Sequence, residues 1–297
     1  MWRAAIIGCG KIAGGYDEGT SVLESCQTHA RAFQAISGVQ LVGVCDLDPA
    51  RAQQFARRWS AAKHFTDPRV MLDQTSPAIV SVCSPTETHA DMLELCLSSP
   101  GLRAVLCEKP AGFDPERLSR LLPRFAHAGI VLAVNYSRAY APGIQRWRGL
   151  SASCSSVTVE YGKGVFNFGS HAVQWVADWL GEIEELRVLS TVPASASFDH
   201  AVSARFLAGR TPVTFRPSTA DRFDVTFHGQ RPVSFFNHAY EVRHAGEVHR
   251  TGLEAVMRDV VESLITRLEG ASGRLVEGAE ALAVLRVCSA MANPVSL

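Results

Sequence analysis

The stretch Trp2-Arg3-Ala4-Ala5-Ile6-Ile7-Gly8-Cys9-Gly10-Lys11-Ile12-Ala13 decides how the chain is read. A short apolar run of strand length ends at Gly8, and Gly8-x-Gly10-x-x-Ala13 follows at once. Gly8 permits a tight turn, and Gly10 lets the backbone approach a bulky anion. Ala13 stands where a small residue allows close helix packing. A helix opening behind such a turn offers free N–H groups and its positive end to a phosphate. Gly8, Gly10, Lys11 and Ile12 are therefore candidates for holding the diphosphate of a dinucleotide.

Working outward, apolar β-rich runs recur at residues 3–8, 39–45, 78–83, 103–107 and 130–135. Helix-like stretches separate them at 29–36, 49–59, 88–97 and 115–127. The apolar runs are continuous rather than alternating, as a parallel sheet covered on both faces requires. Strand–helix–strand repetition implies right-handed crossovers and a doubly wound α/β domain over residues 1–136. Asp46 closes the second run in Val44-Cys45-Asp46-Leu47-Asp48. A carboxylate there can accept both hydroxyls of an adenosine ribose and repels a 2′-phosphate, which favours NAD over NADP. Asp46 comes 38 positions after Gly8, where the fingerprint places its acid about 20 residues on. A glycine-rich insertion at 14–28, read as a loop beside the turn, accounts for the excess.

The texture changes after Asn135. Alternating segments at 151–160, 187–192, 203–206, 213–215, 223–227, 233–236 and 241–243 are separated by Gly, Pro and Asp. They predict a mostly antiparallel sheet with one buried face. Helices are expected at 170–180, closed by Gly181, and at 253–268 and 277–291. Residues 137–297 are thus expected to form an α+β domain. Apolar residues in Phe223-Asp-Val-Thr-Phe227 and Val233-Ser-Phe-Phe236 suggest an exposed apolar sheet face, and through it a homodimer or homotetramer.

Composition narrows the partners. The 297 residues carry 29 Lys+Arg against 29 Asp+Glu, with 47% hydrophobic and 20% charged residues. That is the composition of globular domains rather than of a disordered chain. A neutral chain without a basic stripe gives no reason to expect nucleic acid. No apolar run approaches the roughly 18 to 20 residues of a membrane span, and the start does not read as a signal peptide. The eight Cys, at 9, 26, 45, 83, 96, 107, 154 and 288, form no C-x-x-C pair. They read as small buried hydrophobes in a reducing cytoplasm, with no metal expected.

Two further segments follow strands on the carboxyl side of the parallel sheet: Ser84-Pro85-Thr86-Glu87-Thr88-His89 and Cys107-Glu108-Lys109-Pro110. Together with the glycine turn, Asn135-Tyr136-x-Arg138, Gly169-Ser170-His171 and Trp179-Leu180-Gly181, they resemble the glucose–fructose oxidoreductase / inositol dehydrogenase (Gfo/Idh/MocA) family. The resemblance runs along essentially the whole chain. It implies a Rossmann domain followed by an α+β domain that binds substrate and oligomerises. The implied activity is hydride transfer between a nicotinamide and a hydroxyl or keto group of a sugar, polyol or nucleotide sugar. Carried over, Lys109 and His171 are the catalytic pair. The lysine polarises the reacting oxygen, and the imidazole takes the hydroxyl proton. Glu108 orients Lys109 or holds cofactor, and Pro110 follows a possible cis peptide. Ser84, Pro85 and His89 line the cofactor. Tyr136, Arg138, Asn167 and His171, with Lys163 and Phe168 nearby, are candidates for substrate binding.

The chain departs from the family pattern at two points beside His171. Asn167 and Gln174 stand where Asp residues commonly lie, so two carboxylates are replaced by amides that cannot take a proton. Asp178, seven residues along the same helix, is about 10.5 Å further on and too far to substitute. Ala139 also replaces a common Arg. These changes leave room for an alternative: a nicotinamide-nucleotide-binding regulatory or assembly protein with impaired or no redox turnover.

Overall fold

The computed structural model describes residues 1–20, 25–151, 153–192 and 199–293. It forms two compact units: Met1–Tyr140 with Glu254–Ala279, and Ala141–Leu253 with the chain from Glu280 onward.

The first unit alternates strand and helix: β1 (Trp2–Ile7), α1 (His29–Ala35), β2 (Val39–Cys45), α2 (Pro49–Trp59), β3 (His64–Phe65), α3 (Pro68–Thr75), β4 (Ile79–Val82), α4 (His89–Cys96), β5 (Ala104–Cys107), α5 (Pro115–His127) and β6 (Val131–Val134). All six strands are parallel, in the order β3-β2-β1-β4-β5-β6. β4 and β5 are buried throughout, as strands covered on both faces are, with Ser81 the polar residue within β4. Three helices start alike: Asp48, Asp67 and Asp114 cap α2, α3 and α5, each followed by Pro in the first turn. The strand order reverses between β1 and β4, and the crevice beyond their carboxyl ends is where such a sheet takes its ligand.

The second unit comprises α6 (Pro142–Gln145), α7 (Arg148–Ser151), β7 (Ser156–Tyr161), α8 (Ser170–Leu180), β8 (Ile183–Val192), β9 (Ala201–Ala208), β10 (Thr211–Pro217), β11 (Phe223–His228), β12 (Val233–Phe236), β13 (Glu241–His244) and β14 (Glu247–Arg250). Its strands lie in the order β14-β13-β12-β11-β7-β10-β9-β8. Only the β7–β10 pair is parallel; the rest are antiparallel. Val157, Val159, Tyr161, Val213, Phe215, Phe223, Val225, Phe227, Val233 and Phe235 all face the buried side. Trp175 and Trp179 of α8 pack there on Phe227 and Phe235, with ring centroids 4.5–6.3 Å apart. The other face carries Thr158, Glu160, Thr214, Arg216, Asp224, Thr226 and His228. The expectation of an exposed apolar face is therefore corrected. The strands keep period two, so the aromatics of β11 and all but Phe236 of β12 share the buried side; Phe236 and Val248 are among the scattered apolar residues left on the opposite face.

Two helices close the fold, α9 (Val256–Leu268) and α10 (Gly278–Ala292). Residues 254–279, expected in the second domain, pack with the first unit instead. α9 lies against α1. Val134 N–H donates to Val276 O at 2.9 Å, and Val276 N–H donates to the Tyr140 hydroxyl at 2.8 Å. Five short elements have no counterpart in the sequence reading: β3, two residues at the sheet edge, α3 behind it, and α6, α7 and β14 in the second unit. Among the described residues, no helix is long and apolar enough to cross a membrane.

Candidate active site

The glycine turn sits at the carboxyl end of β1, at the switch point. Gly8 has φ +91°, and a Cβ there would lie 2.6 Å from the Ser84 nitrogen. Only glycine lets the end of β1 approach the end of β4 so closely. Gly10 is the converse: a Cβ there would meet none of the described residues within 4 Å. Among the described residues, the N–H groups of Gly10, Lys11 and Ile12 find no protein acceptor. Open space over three donating N–H groups suits a diphosphate.

The helix behind the turn differs from expectation. Gly14 N–H donates to Gly10 O at 3.2 Å, which makes one helical turn, and the chain then leaves. It returns at α1, where His29 and Ala30 donate to the carbonyls of Ile12 (3.4 Å) and Ala13 (2.8 Å). The insertion thus splits one helix in two, which explains the long spacing to Asp46. Asp17, fully buried, pins the excursion. Its carboxylate accepts from Ser25 Oγ, from the N–H groups of Gln27 and Thr28, and from Thr28 Oγ1 at 2.7 Å. Its carbonyl accepts from Arg31.

Asp46 lies just past β2 and faces the glycine turn. Its Oδ2 accepts the Cys9 N–H at 2.9 Å. Its Oδ1 accepts from Asp48 N–H at 3.0 Å and from Arg51 Nη1 at 3.2 Å. A carboxylate has about four acceptor sites, so capacity for a ribose hydroxyl remains.

Past β4, Ser84 is half-buried and Pro85 exposed. His89 is 1% exposed, and its ring spans two carbonyls, Ser84 O at 2.8 Å and Pro110 O at 2.7 Å. The resemblance gives His89 to the cofactor lining; here both ring nitrogens are taken by backbone. His89 ties the segment after β4 to the segment after β5. The Lys109–Pro110 peptide is cis.

Glu108 points into the protein. Its Oε1 lies 2.8 Å from His29 Nε2 and accepts from Asn135 Nδ2 at 2.5 Å. His29 Nδ1 is 2.9 Å from Ser81 Oγ, and Asn135 also approaches Met257 Sδ at 3.1 Å. Burial pushes the Glu108 carboxyl up. The hydrogen bonds of His29 and Asn135 and the charges of His29 and Lys109 outweigh it, so the group sits below the ordinary carboxylate range. Lys109, half-buried, is the next residue. Burial holds the neighbouring Cys83 and Cys107 thiols well above their usual range, so they stay neutral. Tyr136 and Arg138 leave β6 buried, at 1% and 8% exposure.

His171 is the second residue of α8 in the other unit and is buried, with its ring 6.3 Å from that of Phe223. A π-helical turn, Val165–Gly169, leads into α8. Asp199 anchors that turn, accepting the N–H groups of Phe166 and Asn167 at 2.9 Å each. Gly164 at φ +84° clears Asp199, which a Cβ there would strike. Asn167 is exposed. Gln174 is buried and donates to Glu280 Oε1 at 2.8 Å. Asp178 accepts from Arg148 at 3.1 Å. Lys163 pairs with Asp221 and lies 5.0 Å from the Phe168 ring centroid.

Sequence reasoning missed His29, Ser81, Asn135, Asp17 and Asp199. His29 follows the capping Thr28, and Asn135 is the first polar residue past β6. Those two were the available signals.

Residues 2–136 match the Gfo/Idh/MocA family, an oxidoreductase family with an NAD-binding Rossmann fold. The D-glucoside 3-dehydrogenase of Escherichia coli is 32% identical over 146 residues, 49% of this chain and 38% of that protein. The inositol 2-dehydrogenase of Rhizobium meliloti is 24% identical over 234 residues, 78% of this chain and 56% of that protein. The chain thus spans about half or less of the length of these curated relatives. The structure of UDP-N-acetylglucosamine 3-dehydrogenase GnnA from Acidithiobacillus ferrooxidans superposes with a TM-score of 0.79. It covers 98% of this chain and 96% of that one at 20% identity, a likeness of fold. Residues 2–136 are thus similar to the NAD-binding Rossmann domain of the Gfo/Idh/MocA family of oxidoreductases.

Proposed function

We propose that the chain is a dehydrogenase or ketoreductase using NAD in preference to NADP. Its substrate is a hydroxyl or keto group of a sugar, polyol or nucleotide sugar. One observation carries this reading. The open glycine turn and Lys109 lie at the same carboxyl edge of the parallel sheet, where an α/β fold places its ligand. The names of the relatives, which act on glucosides, inositols and a nucleotide sugar, support the substrate class.

Gly8, Gly10, Lys11 and Ile12 hold the diphosphate, Asp46 the ribose, and Ser84 and Pro85 flank the cofactor past β4. The nicotinamide, when bound, supplies the carbon that accepts or gives hydride. Lys109 donates a hydrogen bond to the reacting oxygen and so stabilises the negative charge that develops there. His171 takes the proton of the substrate hydroxyl. Asn167, exposed ahead of α8, hydrogen-bonds a substrate hydroxyl. Tyr136 and Arg138 are assigned to shaping the segment after β6 on the substrate side. Seven of the eight free cysteines are buried, which suits a reducing compartment, and a cytoplasmic location belongs to the proposal.

Lys109→Ala tests the reading. Turnover on a responsive carbohydrate should fall by about 10²–10⁴-fold, with NADH affinity within about threefold of wild type because the lysine is outside the phosphate turn. Unchanged turnover would remove Lys109 from the chemistry.

A further inference from the structure

The turn that leads into α8 is capped from a distant segment. A helix start leaves its first N–H groups without intrahelical acceptors, and a side chain at the cap position ordinarily supplies one. Here that position is Gly164, which has no side chain to offer. The acceptors come instead from the residues just ahead of β9. Val165 N–H donates to His200 O at 3.0 Å, Phe166 N–H to Asp199 Oδ1 and Asn167 N–H to Asp199 Oδ2, the last two at 2.9 Å each. Gly164 fits this borrowed cap: at φ +84°, a Cβ there would strike Asp199.

The carbonyls of the same residues are held as well. The fully buried Ser170 hydroxyl donates to Phe166 O at 2.8 Å and to Asn167 O at 3.0 Å, sharing one proton between them. Gly169 N–H closes the π-turn on Gly164 O at 3.1 Å. Asp199 is itself located by Tyr161, whose hydroxyl donates to Val202 O at 2.9 Å and accepts from Val202 N–H at 2.8 Å. Phe166 and Asn167 are thus gripped at both N–H and C=O, while Asn167 stands exposed. A π-turn is rare and closes over one residue more than an α-turn. It persists where its surroundings over-determine it.

Resting on the reading of Asn167 as a residue that hydrogen-bonds substrate, we propose that Asp199 is the positioning residue for it. The two carboxylate oxygens fix consecutive peptide groups, and with them the direction in which the Asn167 side chain leaves the turn. Loss of the carboxylate frees both amides. The turn then relaxes toward the α-helical pattern that α8 continues, which swings Asn167 away. α8 itself stays seated through Trp175 and Trp179 on β11 and β12. The loss therefore falls on substrate binding more than on proton transfer at His171.

The test has two readouts on the full-length chain. The first needs no ligand and decides on its own: amide hydrogen exchange across residues 164–170, resolved residue by residue by fragmentation in the mass spectrometer. In Asp199→Ala, Phe166 and Asn167 should exchange at least about tenfold faster, because each loses a charge-assisted acceptor. The amides of β4 and β5 should keep their rates as references. Asp199→Asn retains one carbonyl oxygen and should speed exchange at one of the two amides, which keeps the proposal testable if Asp199→Ala does not fold.

The second readout is a split between KM and kcat, with a methyl D-glucoside, myo-inositol and UDP-N-acetylglucosamine as probes, after the relatives' names. On the probe turned over, Asp199→Ala should raise KM at least about fivefold, with kcat within about threefold of wild type. In an Asn167→Ala background the same substitution should cost less than about twofold, because no side chain is left to position.

Unchanged exchange at Phe166 and Asn167 in the folded variants would overturn the proposal. So would a KM penalty that persists in full in the Asn167→Ala background, since Asp199 would then act on the fold alone. The reading of Asn167 fails separately: a wild-type KM in Asn167→Ala would refute it whatever the exchange rates show.

Discussion

Gly8 and Gly10 are two positions apart and do different work. Gly8 is required by the fold: positive φ and the nearness of Ser84 exclude any side chain. Gly10 is not required by packing among the described residues, since a Cβ there would lie within 4 Å of none of them. The pair gives a sharp expectation. Gly8→Ala should lower stability by more than about 1 kcal/mol by urea unfolding. Gly10→Ala should change stability by less than about 1 kcal/mol, yet weaken NADH binding at least about tenfold by putting a methyl group into the phosphate cradle. Equal NADH affinity in Gly10→Ala would place the diphosphate elsewhere. These glycines, Asp46, Glu108 and Lys109 are legible in the sequence because each stands at the end of an apolar run, where chain order alone predicts position. The His29 partner of Glu108 is not, because 79 positions separate residues that share one hydrogen bond. Such a pair follows from how α1 is set on the sheet, which local pattern does not encode.

At the scale of elements, the Asp-Pro starts of α2 and α5 and the apolar runs of the parallel strands predict the first unit closely. α3 carries the same Asp67-Pro68 start. Its signal is weak because it is short and follows a two-residue strand. The interrupted helix shows a different limit. The excess spacing to Asp46 reveals an insertion, but not that α1 resumes on the carbonyls of Ile12 and Ala13.

The joint between α1, β5 and β6 at Glu108 has a pH signature. Its folded-state affinity for a proton is lowered by His29, Asn135 and Lys109 against the effect of burial. Its contribution to stability is therefore complete above the ordinary glutamate value, about 4.3. It is lost as pH falls through the still lower folded value. Acid unfolding of wild type should be steeper than that of Glu108→Gln by up to about 1.4 kcal/mol per pH unit in that window. The two curves should run parallel above about pH 6. A wild-type advantage over Glu108→Gln that shrinks as pH rises through that window would contradict the assigned sign.

Over the whole molecule, the sequence reading separates a parallel sheet from a mostly antiparallel one, but gives residues 254–279 to the wrong side of the division. A helix shows its own amphipathic pattern, not the unit it packs on. The open face of the eight-stranded sheet, with its Thr, Glu, Arg, Asp and His side chains, is the proposed surface for a homodimer or homotetramer. A polar face with scattered charge suits an isologous contact that pairs opposite signs across a twofold axis. Light scattering after size exclusion should give an even multiple of the chain mass, and Thr226→Arg should shift it to the monomer. A monomeric wild type at micromolar concentration would remove that surface as an interface.

Everything proposed for catalysis depends on a dinucleotide seated over Gly10 with its ribose at Asp46. The most direct measurement is a paired fluorescence titration of the purified chain with NADH and NADPH under one buffer. The expected result is saturable NADH binding with NADPH weaker by at least about tenfold, the cost of a phosphate brought against the Asp46 carboxylate. Tighter binding of NADPH, or binding of neither, would contradict the assignment of the glycine turn and Asp46 as an NAD site.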